Sequence, residues 1–503
     1  MPVKGVNFSI PSTFIEDQSG FPTNMMYSRG EMKKRPGKTL QGAVIADGNP
    51  ILGLGRLELP GNVRYIVRAS QKKLEVLNTG TGNWDSISGT DFTGDNANFF
   101  SFTNVTEDEL LLISNGFDKI RKYSGSGNAS ALGGNPPNAK YMTYLSPYVL
   151  IANLTDSGNE LPWKVQWPDT GTPETWTGGN SGSDLIADEP SAIQNIVKLN
   201  EFAAVYKEES LVLGRKVDPP DVFRFDTIKT GIGLASPRCV VDDEGTHFFM
   251  DSNDFYMWNG IRVESIGEAI RDEAFALMDP DKFDRCFAIH IKALEEIWFF
   301  VVNVGSSWPQ HVWKYKHKLG FWYQDTCDSI TAAARWRRTS TIAWNDTTGT
   351  WDSQNTVWNA SSTVEAWEEI MFGDSSGKCL KLDYTTTNDN FLPVNSHYVT
   401  KDFVADDLEV NERWLQLDTW VYGPGKIYVD YSTDFGSNWT NIPYTSAIVY
   451  AQLGSVVQKI EWYFDIWAPQ IRFRLRNAEI SEQMIIQSIA PYYLKREEVW
   501  TRR

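Results

Sequence analysis

Residues 248–260 read FFMDSNDFYMWNG, and this stretch decides the fold class. Phe248–Met250 and Phe255–Trp258 are rich in aromatic residues of high β-propensity. Between them Asp251-Ser252-Asn253-Asp254 is turn chemistry, because Asp, Asn and Ser side chains bond to their own backbone. The pattern is a hairpin. Asn259-Gly260 then offers the positive-φ pair of a type I′ turn, and Ile261-Arg262-Val263 restarts an alternating run, so three short strands fit into about twenty residues.

The same plan recurs in LEVLNTGTGNWDSIS (74–88), IRKYSGSGNASAL (120–132), VWKYKHKLGFWYQD (312–325) and CLKLDYTTTNDNF (379–391). Each has a strand ending in Leu, Tyr or Trp and then a polar turn. Many short strands with aromatic punctuation suit the blades of a β-propeller, with a stacked sandwich as the competing arrangement. YVLIANL (148–154), FAAVY (202–206), SLVLG (210–214) and EIWFFVVN (296–303) read as strands buried on both faces. One stretch is helical in pattern: in GEAIRDEAFALM (267–278), Ile270, Ala274, Leu277 and Met278 share a side and Pro280 closes the segment.

From about residue 395 the texture changes. IRFRLRN (471–477) alternates Ile471, Phe473 and Leu475 with Arg472, Arg474 and Arg476, and KIYVDYS (426–432) alternates Ile427, Val429 and Tyr431 with polar neighbours. Such strands have one core face and one wet face, as in a separate sandwich. The expected organisation is all-β: an arm with first strands over 1–45, a propeller of about six blades over 46–394, and a β-sandwich over 395–503.

Composition agrees with all-β. Twenty Trp, 20 Tyr and 26 Phe in 503 residues exceed what a helical protein usually carries, and 38 Gly with 23 Pro supply the turns. The net charge of −17 argues against a general phosphate-binding surface, which needs clustered Lys and Arg. Four cysteines, at 239, 286, 327 and 379, are too sparse for a disulfide framework and lack C-x-x-C spacing, so they read as buried thiols. The N-terminus lacks a signal-peptide core and the longest strong apolar run, IWFFVV (297–302), is strand-length; synthesis in a cytoplasm and no membrane span are expected.

Ser432-Thr433-Asp434-Phe435-Gly436-Ser437-Asn438-Trp439 fits S-x-D-x-G-x-x-W and resembles the Asp-box of sialidases and other propellers. In that motif Ser432 and Asp434 would tie down a turn, Gly436 would take a left-handed conformation and Trp439 would pack beneath. It is a fold device; catalysis on a glycan would need several boxes, an arginine cluster and a Tyr/Glu nucleophile pair. EMKKRPGKTL (31–40) is the most basic segment. Lys33, Lys34, Arg35 and Lys38 there form either a solvated turn or a contact with a partner subunit or DNA. Arg335-Trp336-Arg337-Arg338 poses the same choice between a rim and a base-stacking site. His247, His290, His311, His317 and His397 form neither H-x-x-x-H nor H-E-x-x-H, and no G-x-S-x-G elbow or Walker loop occurs. No catalytic, metal or cofactor residues are expected from these patterns, and the chain is read as a non-enzyme.

YKEESLVLGR (206–215), FRFDTIKTGIGLASPRCVV (223–241) and THFFMDSNDFYMWNGIRVESIG (246–267) together resemble tail proteins of double-stranded DNA phages. Ile232-Gly233, Ser236-Pro237, Phe255-Tyr256 and Asn259-Gly260 occupy that family's motif positions, and Arg35-Pro36-Gly37 within NMMYSRGEMKKRPGK (24–38) is similar to its N-terminal passage. Asn253-Asp254 stands where the family often has Asp-Gly. The resemblance, over about residues 20–330, implies a tail hub or nozzle subunit of a short-tailed phage. Such a subunit is a virion protein made in a bacterial host. It assembles as a homohexameric ring below the portal and adaptor, extends the DNA channel, retains packaged DNA and supports ejection, and carries tail fibres or a needle. Double-stranded DNA would pass its acidic lumen without tight binding. The alternative is a glycan-binding or sialidase-like glycan-hydrolysing propeller used in adsorption. That reading would place carboxylates, arginines and aromatics at one open mouth, whereas a ring subunit would spread apolar contacts along its flanks.

Overall fold

The structure is a computed structural model that describes residues 6–9, 13, 20–28, 30–218, 221–337, 368–404, 410–445 and 448–494. Six four-stranded antiparallel units follow one another along the chain, at 51–86, 101–131, 138–185, 193–230, 240–265 and 287–326. A seventh is built from Ile330–Trp336, Glu369–Asp374 and Cys379–Asp383, and its fourth strand, Gly37–Leu40, comes from the N-terminal arm. The first strand of the seventh unit packs against the first strand of the first, Ile51–Leu59, so the ring closes. The fold is an all-β propeller.

Seven blades stand where about six were expected. The last blade is hard to count from sequence because its outermost strand lies some 340 residues upstream of its neighbour: Leu382 pairs with Lys38 and Asp383 with Gly37. The run 379–391, which reads like the other hairpins, therefore has an arm strand beside Cys379–Asp383, and its own second segment, Asn388–Asp389, pairs onto that arm strand instead. Gly37 is required by this closure, since a Cβ there would lie 2.0 Å from the backbone oxygen of Asn388.

Seven apolar clusters fill the spaces between neighbouring blades. Alternation along a strand sends successive side chains to opposite faces, so a blade strand feeds two cores at once. In Thr246–Met250, Phe248 and Met250 enter the core shared with blade six, and Phe249 enters the core shared with blade four. In Phe255–Trp258, Phe255 goes to the first and Trp258 to the second. This double burial is why the runs at 148–154, 202–206 and 296–303 are continuously apolar; they are second strands of their blades.

The turn after Trp258 differs from the type I′ expectation. Gly260 takes φ +88°, but Asn259 is not left-handed. Trp258 pairs with Val263 across a four-residue loop, and the Asn259 side chain accepts hydrogen bonds from the amides of Ile261 and Arg262 at 3.0 and 2.9 Å. A side-chain cap thus replaces the second positive φ. The helix is shorter than its pattern, Arg271–Leu277; Ile270, Ala274 and Met278 are buried, whereas Leu277 is exposed. All four cysteines are unpaired and buried.

The remaining strands make two sheets packed face to face. One runs Gly20–Thr23, Ser396–Thr400, Gln470–Asn477, Lys426–Ser432, Thr440–Ile442, and the other Met25–Ser28, Glu31–Lys34, Ile485–Leu494, Glu412–Tyr422, Gln458–Ala468. Between them Trp414, Trp462, Ile427, Phe473 and Leu475 form one core with Met25 and Met32 of the arm. The segment 1–45 thus supplies three strands to this pair of sheets and one to the propeller. The first sheet is also continuous with blade six, through parallel pairing of Thr23 with Gln324. Among the described residues no helix is long and apolar enough to cross a membrane.

Candidate functional site

Three of the four basic arm residues singled out above turn inward, because the segment that carries them is the seam between propeller and sandwich. Arg35 and Lys38 are buried and converge on Asp389, at 2.6 and 3.1 Å, and Arg35 also lies 3.4 Å from Asp325. Burial alone would raise the pKa of Asp389, but Lys38 and Arg35 hold it well below the usual carboxylate range. Lys34 donates to Asn477 Oδ1 and to the Glu479 carbonyl, each at 2.9 Å, and burial pushes its pKa down to about 8. Only Lys33 is partly exposed. These residues are an internal staple rather than a surface for a partner or DNA. Of the second basic stretch, Trp336 is buried between blades seven and one, Arg335 lies near Glu368, Arg337 is exposed, and Arg338 lies outside the described residues.

The Asp-box residues come together on the hairpin between Lys426–Ser432 and Thr440–Ile442. The Ser432 hydroxyl donates to Asp434 Oδ1 at 2.7 Å and accepts from the Gly436 amide at 2.9 Å. The other Asp434 contacts are the amide and side chain of Asn438, at 2.9 and 2.6 Å. Gly436 takes φ +89°, as the motif requires. Hydrogen bonds from Ser432 and Asn438 lower the Asp434 pKa to about 2.

Arg474 stacks over Trp439, 4.5 Å from the ring centre, and Arg472 donates to the Phe435 carbonyl at 3.0 Å. With Arg476 they form a row of three guanidinia beside the box. Each already has a carboxylate: Arg472 holds Asp402 at 2.5 Å, and Arg474 and Arg476 share Asp430 at 2.7 and 2.8 Å. An arginine cluster is present, and its three guanidinia are answered by two carboxylates, Asp402 and Asp430.

The propeller axis holds a cavity of 880 Å³ lined by the first strands of all seven blades. Arg238, just before the first strand of blade five, reaches into it. Its Nη1 donates to the Thr331 carbonyl at 2.7 Å and its Nη2 to the Arg285 carbonyl at 2.9 Å. The guanidinium stacks 3.6 Å over the ring of Phe99, which precedes blade two on the other side of the ring. Burial lowers the Arg238 pKa to about 10, which leaves it charged at neutral pH. A cation laid on a phenyl ring thus links the segments before blades five and two in the cavity lining. The residue type gave no signal of this, since a lone Arg after Ser236-Pro237 reads as a surface group.

A further feature is the outer face of the second sandwich sheet. Gln416 lies opposite both Tyr463 and Tyr492, and Arg413 opposite both Trp467 and Leu494. Cross-strand partners share a face, so these side chains form two adjoining rows. Tyr463 is 64% exposed, Trp467 60%, Leu494 54% and Tyr492 49%. Finally, although no metal ligands were expected, Asp243, His290 and His317 come within ligand distance of one another.

No family model matches the chain and no curated protein sequence matches it. Among solved structures it is similar to YCF48 bound to D1 peptide, at 7% identity over 72% of this chain and 97% of that one, with a TM-score of 0.41. It is also similar to the Pan2 WD40 domain of Neurospora crassa, at 8% identity over 71% and 96% with a TM-score of 0.38. A third neighbour is the extracellular domain of a hybrid two-component system protein from B. thetaiotaomicron, at 11% identity over 89% and 62% with a TM-score of 0.43. The order of the chain's own sheets is what makes it a β-propeller.

Proposed function

We propose that the chain is a structural virion protein, a tail hub or nozzle subunit that closes with copies of itself into a ring below the portal and adaptor of a short-tailed phage. The observation that carries this reading is the exposed apolar face of Tyr463, Trp467, Tyr492 and Leu494. Aromatic and aliphatic exposure is what an interface between copies uses, and this face also carries the Arg413–Asp465 ion pair at 2.6 Å, Gln416, and Glu461, which accepts from the Tyr463 hydroxyl. The arginines beside the Asp-box are paired with Asp402 and Asp430, so a sialidase-like reading would have to place its site in the axial cavity, where Arg238, Asp281, Asp284 and Tyr141 lie. If DNA passes, it passes between subunits and not through a propeller, whose axial cavity of 880 Å³ is too small for a duplex. The excess of acidic residues suits a wall along which a duplex slides.

Negative-stain imaging with mass measurement tests this, on the purified chain alone and with its portal assembly. A closed ring of six copies is expected. Replacing Trp467 and Tyr463 together by Glu should leave folded monomers. A monomer at every concentration, both alone and beside the portal, would overturn the proposal, as would a ring indifferent to those two changes.

A further inference from the structure

Asp243 ends the first strand of blade five, His290 lies in the first strand of blade six, and His317 directly follows its third strand. Asp243 Oδ2 is 3.1 Å from His317 Nε2, and its Oδ1 is 3.5 Å from His290 Nδ1. The three ligand atoms all lie within 4.8 Å of one another, and the two imidazole rings stand at 81°. A tetrahedral ion with bonds of about 2.0–2.1 Å places its ligand atoms roughly 3.4 Å apart, and the two Asp243–histidine contacts, made through different carboxylate oxygens, are near that spacing.

His290 Nδ1 has the Arg335 guanidinium at 3.4 Å and an Asp243 carboxylate oxygen at 3.5 Å, and the ring's tautomer decides which of the two it answers. His290 is only 4% exposed, and Glu368, 3.7 Å from Arg335 Nε, gives that guanidinium a carboxylate of its own.

The geometry points to a divalent metal site of the zinc class, with His290 Nδ1, His317 Nε2 and an Asp243 carboxylate oxygen as ligands and a fourth position open to water. Imidazole with carboxylate suits Zn²⁺, and Co²⁺ as its spectroscopic substitute, rather than Ca²⁺ or Mg²⁺, which take oxygen shells. The ion would clip blade five to blade six where their first strands end, with Arg335 of blade seven alongside. It would add to a seam that already has the Lys292–Glu244 ion pair at 2.9 Å and the Ser236 hydroxyl donating to the Cys286 carbonyl at 2.7 Å.

The test uses the full chain, prepared without a polyhistidine tag, stripped with chelator and titrated with Co²⁺ and then Zn²⁺. One equivalent per chain is expected, with the intense visible bands of four-coordinate cobalt, bleached by zinc, and a rise in melting temperature. His317→Gln and Asp243→Asn should each weaken binding at least tenfold, whereas His397→Gln should not. If the ligand variants do not fold, X-ray absorption of the zinc-loaded wild type decides, since two imidazoles must appear in its coordination shell. Binding unchanged in His317→Gln, or a shell without two imidazoles, would overturn the site.

Discussion

A carboxylate oxygen of Asp389 lies 2.6 Å from Arg35, 354 residues earlier in the chain. This pair fastens the arm to the closing blade, and both partners are shielded from water. Without Asp389 the buried Lys38 loses its carboxylate while Arg35 keeps Asp325, so Asp389→Ala should cost about 3–5 kcal/mol in denaturant unfolding. The pH dependence has a definite sign. The folded pKa of Asp389 is depressed, so its contribution is fully present above the unfolded value near 4 and is lost as pH falls below that toward the folded pKa. Acid unfolding curves of wild type and Asp389→Asn should converge below about pH 4; parallel curves down to the lowest pH would refute the assignment.

Phe248 and Phe249 feed different cores. Phe248→Ala and Phe249→Ala should therefore each destabilise the chain by about 3–5 kcal/mol, where a strand with one wet face would show a loss at only one of them. Thermal or denaturant unfolding of the two variants distinguishes the cases.

Asp434→Ala should loosen the turn at 433–438 without altering the propeller. Limited proteolysis is the sensitive measurement, with faster cleavage inside the turn and an unchanged pattern elsewhere. Because hydrogen bonds hold the Asp434 pKa at about 2, the turn's protection should persist to low pH and fade only as pH falls through that value.

The isolated chain should not retard duplex DNA in gel electrophoresis at physiological salt. Its charge is −17, and Lys34, Arg35 and Lys38 are spent internally. A tight complex that weakens steeply with added salt would contradict this.

The all-β class and the individual hairpins were legible because strand and turn chemistry is local: Phe248–Met250, the Asp251–Asp254 turn and Phe255–Trp258 fall where their residue types place them. The Asp-box geometry was legible for the same reason. What escaped depends on partners remote in sequence. The basicity of Lys33–Lys38 looked like a surface until Asp389 and Asn477 supplied acceptors from the far end of the chain. Leu277 fits a helical stripe, yet the helix turns it to solvent. His290 lies on one strand of blade six and His317 just beyond another, so no spacing rule could join them to Asp243.

The strand Glu31–Lys34 pairs with Ile485–Leu494, and Met32 faces Ile486 across that ladder. A ribosome adding roughly 5–20 residues per second needs on the order of 20–90 s to travel from one to the other. During that interval the arm strands can pair locally, Met25–Ser28 with Glu31–Lys34, while Gly37–Leu40 waits for Cys379–Asp383 and Glu31–Lys34 waits for its second neighbour. Blades one to six can form as they emerge, ring closure can follow once Cys379–Asp383 is made, and the second sandwich sheet is completed only when Ile485–Leu494 is made. Chaperone engagement, arrested-nascent-chain proteolysis and truncation from the C-terminus should report these two steps in that order.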